Sequence, residues 1–496
     1  MSLINVSNLT FGYDGSYDTI FEKVSFQLDT NWKLGFTGRN GKGKTTFLKL
    51  LMGQYEYSGT IAASVDFSYF PFKVEQRERN TIDVVDSLSG NYAFWELQRE
   101  LSMLEVDYDV LYRPFDTLSE GEQTKVLLAV LFLRENQFLL IDEPTNHLDM
   151  ASRELVGQYL NTKRGFILVS HDRYFLDQCV DHILSINNTD IEVQRGNYTS
   201  WVQNKERQDQ YELGENEKLK KEIAKMTTAA RRTAGWSDAV EKTKKGASRK
   251  LVAGLKPDRG YVGHKAAKMM KRSKVTEARK EKAIEEKSKL LKNIDRADEL
   301  AIKNLSYPKN RLIEARGLSI TYDGTAVFED VSFEVNRGDR VALSGKNGCG
   351  KSSILKAVLG EKICHSGDLI IGTNLEYSYV SQDTSFLAGS LRNYIRENSL
   401  DESLLKAVLR KLGFSREQFD KRLEDYSSGQ KKKVLLAASL CKPAHLYIWD
   451  EPLNFIDVLS RIQIEHLICQ YEPTMLFVEH DRMFMENVAT EVVSLG

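Results

Sequence analysis

The sequence predicts an α/β protein made of one P-loop domain written twice, the two copies in tandem and joined by a long α-helical hairpin linker. Three observations carry this. The stretch LTFGYDGSYDTIFEKVSFQLDTNWKLGFTGRNGKGKTTFLKLLMG, from Leu9 to Gly53, returns as LSITYDGTAVFEDVSFEVNRGDRVALSGKNGCGKSSILKAVLG, from Leu318 to Gly360. The correspondence then persists at a nearly constant offset: 307 positions from Gly38 to Gly345, 308 from Asp142 to Asp450, and 309 from His171 to His480. Between the copies, Leu219, Ile223, Met226 and Ala230 recur at helical spacing, and Leu290, Ile294, Ala297 and Ala301 repeat that spacing on the return. An offset this long is duplication of a whole domain rather than a solenoid repeat. The expected boundaries are 1–202 for the first domain, 203–308 for the linker and 309–496 for the second domain.

A chain of 496 residues is too long for one hydrophobic core, and its 41% hydrophobic share is that of a globular protein. No apolar run reaches the roughly 18 to 20 residues a membrane helix needs. The opening MSLINVSNLTFGYDG lacks the cationic and apolar segments of a secretory signal, so a cytoplasmic location is expected. Cys179, Cys349, Cys364, Cys441 and Cys469 stand singly, without metal-ligand spacing, and read as reduced thiols. The net charge of -1 hides a strong asymmetry. Lys205 to Pro308 holds 28 Lys/Arg against 16 Asp/Glu, a local +12, and the remainder carries -13. Such a division reads as a partner's footprint.

Within each copy, alternating stretches such as KVSFQL and KLGFTG precede a glycine-rich turn and then a helical pattern. The apolar strands QFLLID and HLYIWD follow, each ending in acids, and then GFILVSHD and TMLFVEHD. Strands alternating with helices, with polar residues at the strand ends, give a sheet that binds its ligand along the carboxyl edge.

The turns GRNGKGKT, with Gly38, Asn40, Gly41, Gly43, Lys44 and Thr45, and GKNGCGKS, with Gly345, Asn347, Gly348, Gly350, Lys351 and Ser352, both match the phosphate-binding loop. Glycines let successive N–H groups turn toward a phosphate, the lysine adds charge, and Thr45 and Ser352 suit Mg²⁺. Thr46 and Ser353 follow directly in the same ATP-binding stretch. A lone glycine turn proves little, but two at the repeat offset point to ATP. Asp142 and Asp450 end strands as Mg²⁺ partners, and Glu143 and Glu451 are placed to polarise an attacking water. A lone histidine is usually structural; His171 and His480, each inside a repeated His-Asp-Arg triplet, instead fit sensing of the γ-phosphate.

LSEGEQ (Leu118 to Gln123) and YSSGQK (Tyr426 to Lys431) open helices just before the acidic strands. With these stretches the chain resembles ATP-binding cassette domains, whose signature reads Leu-Ser-Gly-Gly-Gln. The first copy departs with Glu120, and the second with Tyr426 and Ser428. The resemblance implies that Ser119 and Gly121, and Ser427 and Gly429, bind phosphate across a head-to-tail pair, each signature completing the other copy's loop. It also implies adenine stacking by Tyr13 and Tyr322, with an ordinary strand-edge tyrosine the lesser reading of either, and a Mg²⁺-facing Gln382. The first copy has Phe72 at the glutamine place, so metal coordination there is expected to differ. TNHLD (Thr145 to Asp149) looks like the intercassette loop, whereas LNFID (Leu453 to Asp457) lacks its histidine. Two competent sites are expected, not necessarily of equal rate.

GNYTSW (Gly196 to Trp201), the charged helix after it and GHKAAKMMKRSK make the resemblance narrower: the chain is similar to the ABC-F group of translation factors, in its antibiotic-resistance branch. What this implies is a monomer whose two cassettes pair with each other. Its partner would be the ribosome, through 23S rRNA and with peptidyl-site tRNA as a further candidate, and it would displace lincosamides, streptogramin A compounds and pleuromutilins from the peptidyl-transferase centre. Two alternatives stay open: a housekeeping factor of the same group, and the ATP-binding subunit of a drug exporter. A tip near 235–263 is marked by Gly235, Gly246, Gly254, Pro257, Gly260 and Gly263. Around it Lys244, Lys245, Arg249, Lys250, Lys265, Lys268, Lys271 and Arg272 are the RNA-binding candidates, because they lack the matching acids of a merely solvated face. The interval from Phe72 to Leu118 is 46 residues, against 44 from Gln382 to Tyr426, which leaves no room for a large extra arm in the first cassette.

Overall fold

Strand β1 (Leu3–Gly12) alternates buried and exposed positions as a half-buried strand should, but the alternation shifts phase after Val6. Asn8 takes a positive φ of 50° there, so Ile4, Val6, Leu9 and Phe11 all reach the same core. In this computed structural model β1 lies between β2 (Thr19–Asp29) and β4 (Ser58–Ala62) in an antiparallel sheet. The residues described are 2–13, 19–134, 137–146, 148–187, 189–208, scattered positions between 210 and 228, 304–322 and 325–495. The linker tip and all eight of its candidate cations lie outside them, as does His147.

A second sheet forms the carboxyl edge. Its order is β5 (Asp66–Phe70), β6 (Gln137–Asp142), β7 (Phe166–Val169), β3 (Lys33–Thr37), β8 (His182–Asn187) and β9 (Asp190–Arg195), parallel except for the last pair. Every residue of β7 is buried, the mark of a strand covered on both faces. Helices α1 (Lys44–Leu51), α2 (Thr81–Ser89), α3 (Phe94–Met103), α4 (Glu120–Phe132), α5 (Met150–Asn161) and α6 (Arg173–Cys179) complete the copy.

The second copy repeats the plan. Strands β10 (Arg311–Tyr322), β11 (Thr325–Asn336) and β13 (His365–Ile371) make the antiparallel sheet, and β14 (Tyr377–Val380), β15 (Leu446–Asp450), β16 (Met475–Val478), β12 (Arg340–Gly345) and β17 (Glu491–Leu495) the parallel one. Its helices are α7 (Lys351–Val358), α8 (Leu391–Glu397), α9 (Glu402–Lys411), α10 (Ser428–Cys441), α11 (Val458–Tyr471) and α12 (Arg482–Val488). The two copies form one compact unit, Met1–Trp201 with Asp298–Gly496; Val202–Ala297 is a unit of its own.

Candidate functional site

Each phosphate loop is made by a strand that ends in glycines and a helix that starts on the loop lysine. Gly43 and Gly350 are the residues before α1 and α7, at φ of 99° and 91°. A Cβ on Gly43 would lie 2.5 Å from Ile20 Cγ2, and one on Gly350 2.8 Å from Phe328 Cδ1, so both conformation and space demand glycine. The free N–H groups of α1 and α7 therefore open on the loop, a ready anion site. Lys44 Nζ donates to Gly38 O at 2.6 Å and Asn40 Oδ1 at 3.3 Å; Lys351 Nζ donates to Gly345 O and Lys346 O, both at 2.8 Å. Burial lowers the Lys44 pKa, with acids including Asp457 of the other copy opposing it.

The remaining hydroxyls of the loops are all hydrogen-bonded. Thr45 Oγ1 donates to Asp142 Oδ2 at 3.0 Å, and Ser352 Oγ to Asp450 Oδ1 at 3.1 Å. Tyr13 and Thr46 share a hydroxyl hydrogen bond of 2.7 Å, and Tyr322 and Ser353 one of 3.0 Å. Both tyrosines are exposed, with ring surface free for a base. The hydroxyl and carboxylate oxygens form a hard donor set that fits Mg²⁺, which takes one or two protein carboxylates and completes its shell with phosphate and water. Among the described residues no group of three His, Cys, Asp or Glu could hold a metal by itself.

Past the aspartates the chain turns sharply. Glu143 and Glu451 hold φ of 52° and 45°, rare for glutamate, and their N–H groups donate to Val169 O and Val478 O. His171 Nε2 stands 3.2 Å from Glu143 Oε1, and His480 Nε2 3.5 Å from Glu451 Oε1. The surroundings then diverge. Burial, with Asp142 adding, pushes the Glu143 carboxyl up to about 8, and burial, with Lys44 adding, depresses His171 well below the usual imidazole range. Burial acts upward on Glu451 too, but His480 and the Gln382 amide outweigh it and hold it below its ordinary value. Gln382 Nε2 and Asn454 Nδ2 both donate to Glu451 Oε2, at 2.8 and 2.6 Å. Strand pairing puts Phe70 beside Ile141 and Val380 beside Trp449, so Phe72 does occupy the place of Gln382. Its ring lies under the Arg134 guanidinium, 5.0 Å away.

Both signatures are helix starts. Ser119 Oγ caps α4 by accepting from Glu122 N at 3.2 Å, and Ser427 Oγ caps α10 by accepting from Gln430 N at 3.3 Å. Each meets the other copy. A cavity of about 490 Å³ is lined by Asn347, Lys351 and Ser352 of the second loop, by Glu451 and His480, and by Glu120, Asn146 and Leu148 of the first copy. Asn347 N donates to Asp149 Oδ2 at 3.4 Å across the same boundary. On the other side Asn40 Nδ2 donates to Phe455 O at 2.8 Å, and a Cβ on Gly429 would stand 2.4 Å from that oxygen and 3.1 Å from Asn40 Nδ2. Each site is thus composite, with a loop from one copy and a signature region from the other.

Sequence reasoning missed the residues that lock this boundary. Asp172 and Asp481, the middle members of the triplets, accept from Phe175 N and Phe484 N as helix caps and also bind Arg153 and Arg461. Arg153 Nη1 further donates to His480 O, and Arg173 pairs with Glu465, both between copies. Lys433 Nζ bonds Asp457 Oδ2 at 2.5 Å, where each is buried. The repeated Arg153 and Arg461, four positions after Asp149 and Asp457, were the available signal.

Two phosphate-loop cassettes, each completed by the signature of the other, define a two-site ATP-binding machine. A family model described as ABC transporter matches residues 21–146 and 328–454, together half of the chain. The chain belongs to that family, within its ABC-F group, and is an ATPase. Among its relatives are the ribosome protection protein VmlR of Bacillus subtilis, 28% identical over 98% of this chain and 85% of the relative. Another is ABC transporter F family member 2 of Arabidopsis thaliana, 26% identical over 99% and 76%. In fold it resembles the archaeal ribosome recycling factor aABCE1 in complex with ribosomal stalk protein aP1, at TM-score 0.63 and 18% identity, covering 98% and 87%. Among the described residues no helix is long and apolar enough to cross a membrane.

Proposed function

We propose that this protein binds the ribosome in its ATP-bound, closed form and protects translation by displacing lincosamide, streptogramin A and pleuromutilin type drugs from the peptidyl-transferase centre. The observation that carries the reading is the composite site: because each nucleotide pocket needs both copies, occupancy of the pockets controls the approach of the copies. The chain between those copies carries the +12 charge suited to RNA phosphates. The likeness to a ribosome protection protein over nearly the whole chain supports the same partner.

In this reading Lys44, Lys351 and the amides of α1 and α7 hold the ATP phosphates. Thr45 with Asp142, and Ser352 with Asp450 and Gln382, would hold Mg²⁺, which supplies charge neutralisation when bound. Glu143 and Glu451 take a proton from the attacking water, while His171 and His480 orient that carboxylate and meet the γ-phosphate. Hydrolysis removes the ligand that joins the copies, and the protein leaves the ribosome. The linker, with boundaries near 203 and 308, carries the tip.

The test is in vitro translation inhibited by a drug of each class. Added protein with ATP is expected to restore synthesis, and a variant lacking the tip is not. Ribosome binding without rescue would favour a housekeeping factor, and co-purification with membranes in place of ribosomes would favour an exporter subunit. Charge gives a second expected result. Binding should weaken with salt at a log-log slope of roughly -0.7 per single-strand phosphate contact. Replacing Lys265, Lys268, Lys271 and Arg272 by alanine should flatten that slope, as titration of ribosome binding against salt will show; an unchanged slope would remove the linker from the RNA contact.

A further inference from the structure

Lys432 lies in α10, two residues beyond Gln430 of the signature stretch, yet it is only 2% exposed and turns inward, to the side of the second site. Its Nζ donates to Ser381 O at 2.9 Å and to Glu451 O at 3.1 Å. One ammonium thus ties the residue before Gln382 to the strand end that carries Glu451. Burial lowers the Lys432 pKa, opposed by acids that include Glu479; Glu479 is itself 3% exposed and has Arg461 as its main counter-charge. Glu479 Oε1 accepts from Leu453 N at 2.7 Å, and Oε2 from His480 N at 2.9 Å. The two buried charges therefore fix the backbone next to Gln382, Glu451, Asn454 and His480.

Among the described residues the first copy has none of this. At the place of Lys432 it has Thr124, whose hydroxyl bonds back to Glu120 O of its own helix. At the place of Glu479 it has Ser170, sharing a hydroxyl contact of 3.2 Å with Thr145. Phe72 replaces Gln382 and Pro71 replaces Ser381. All four positions change together between copies that otherwise keep loop, acid and histidine. A buried lysine and glutamate are costly to desolvate, and the first copy folds the same strands without them, so the fold alone does not call for the pair.

We propose that Lys432 and Glu479 are two positioning residues for the second site, Lys432 holding the Gln382 segment and Glu451, and Glu479 the backbone at Leu453 and His480, in reacting geometry, and that they make this site the faster of the two. The inference rests on the reading of Glu143 and Glu451 as the catalytic carboxylates. If the double variant of both glutamates still hydrolysed ATP normally, that reading would fail by itself, whatever Lys432 does.

The experiment measures steady-state ATPase parameters and nucleotide affinity of the full chain. Lys432→Met is expected to lower kcat at least tenfold with KM and ATP affinity within threefold, and Lys432→Arg to recover most of the loss. Combining Lys432→Met with Gln382→Ala should cost little more than the worse single change, because both act on one arrangement. Thr124→Ala in the first copy should move kcat less than twofold. Glu143→Gln, working through the second site, should turn over at least twentyfold faster than Glu451→Gln. A Lys432→Met kcat near wild type, additive losses with Gln382→Ala, no recovery by Lys432→Arg, or the reverse order of the glutamate variants would each overturn the proposal. Should Lys432→Met fail to fold, Glu479→Gln takes its place, with the same expected fall in kcat and the same overturning result.

Discussion

ATP hydrolysis by the double variant Glu143→Gln, Glu451→Gln is expected to fall by about two to four orders of magnitude, the usual contribution of a positioned general base. Glutamine keeps the shape of each side chain and its hydrogen-bonding ends, so the left-handed turn at 143 and 451 and the approach of His171 and His480 should survive. ATP should still draw each loop onto the opposite signature region. The variant is then expected to stay closed and to accumulate on ribosomes, measured as ATP-dependent co-sedimentation that no longer decays with time. Hydrolysis at the normal rate would show that water is activated by some other group. Normal loss of hydrolysis without retention on ribosomes would separate the chemistry from the proposed partner.

The chemistry-bearing part of this fold was legible because it is local. A phosphate loop needs its glycines, lysine and hydroxyl within eight residues, and a strand end shows its acids directly after an apolar run. Repetition in one chain then supplied what a single motif could not, since Asp142 and Asp450 fall at the same stage of two matching patterns. The Phe72 exception was also readable, and the strand register bears it out. The partners of Arg173 were not legible. Glu465 is 292 positions away, and the helix that presents it shows no charge pattern that names a partner. Lys432 was hidden for another reason: in KKK after the signature, sequence gives no sign of which lysine turns inward, and burial next to two carbonyls is decided by the packing of α10 on β14.

The Arg173 contact leads to the second large effect. Arg173 is 4% exposed, and its guanidinium makes a two-point contact with Glu465 of the other copy, with Asp481 Oδ1 3.6 Å away. Asn487 Nδ2 also donates to Glu465, so the carboxylate is enclosed. Removing the arginine leaves a buried acid without its cation, which typically costs about 3–5 kcal/mol. The matching contact on the other side does not exist in this form. Gly157 stands at the place of Glu465, and Arg482, half-exposed, bonds Glu486 of its own helix, lies over the Tyr174 ring and reaches the other copy only through a neutral hydrogen-bond partner, the Tyr174 hydroxyl at 3.1 Å. An exposed pair of that kind contributes roughly 0–1 kcal/mol. Arg173→Ala is therefore expected to weaken ATP-driven closure at least a hundredfold, and Arg482→Ala less than tenfold, when closure is followed by a fluorescence pair placed on the two copies. The Arg173→Ala, Glu465→Gln double variant should recover part of the loss, because it removes the stranded charge along with its partner. Equal effects of the two arginines would mean that closure is symmetric and that the one-sided ion pair contributes nothing to it.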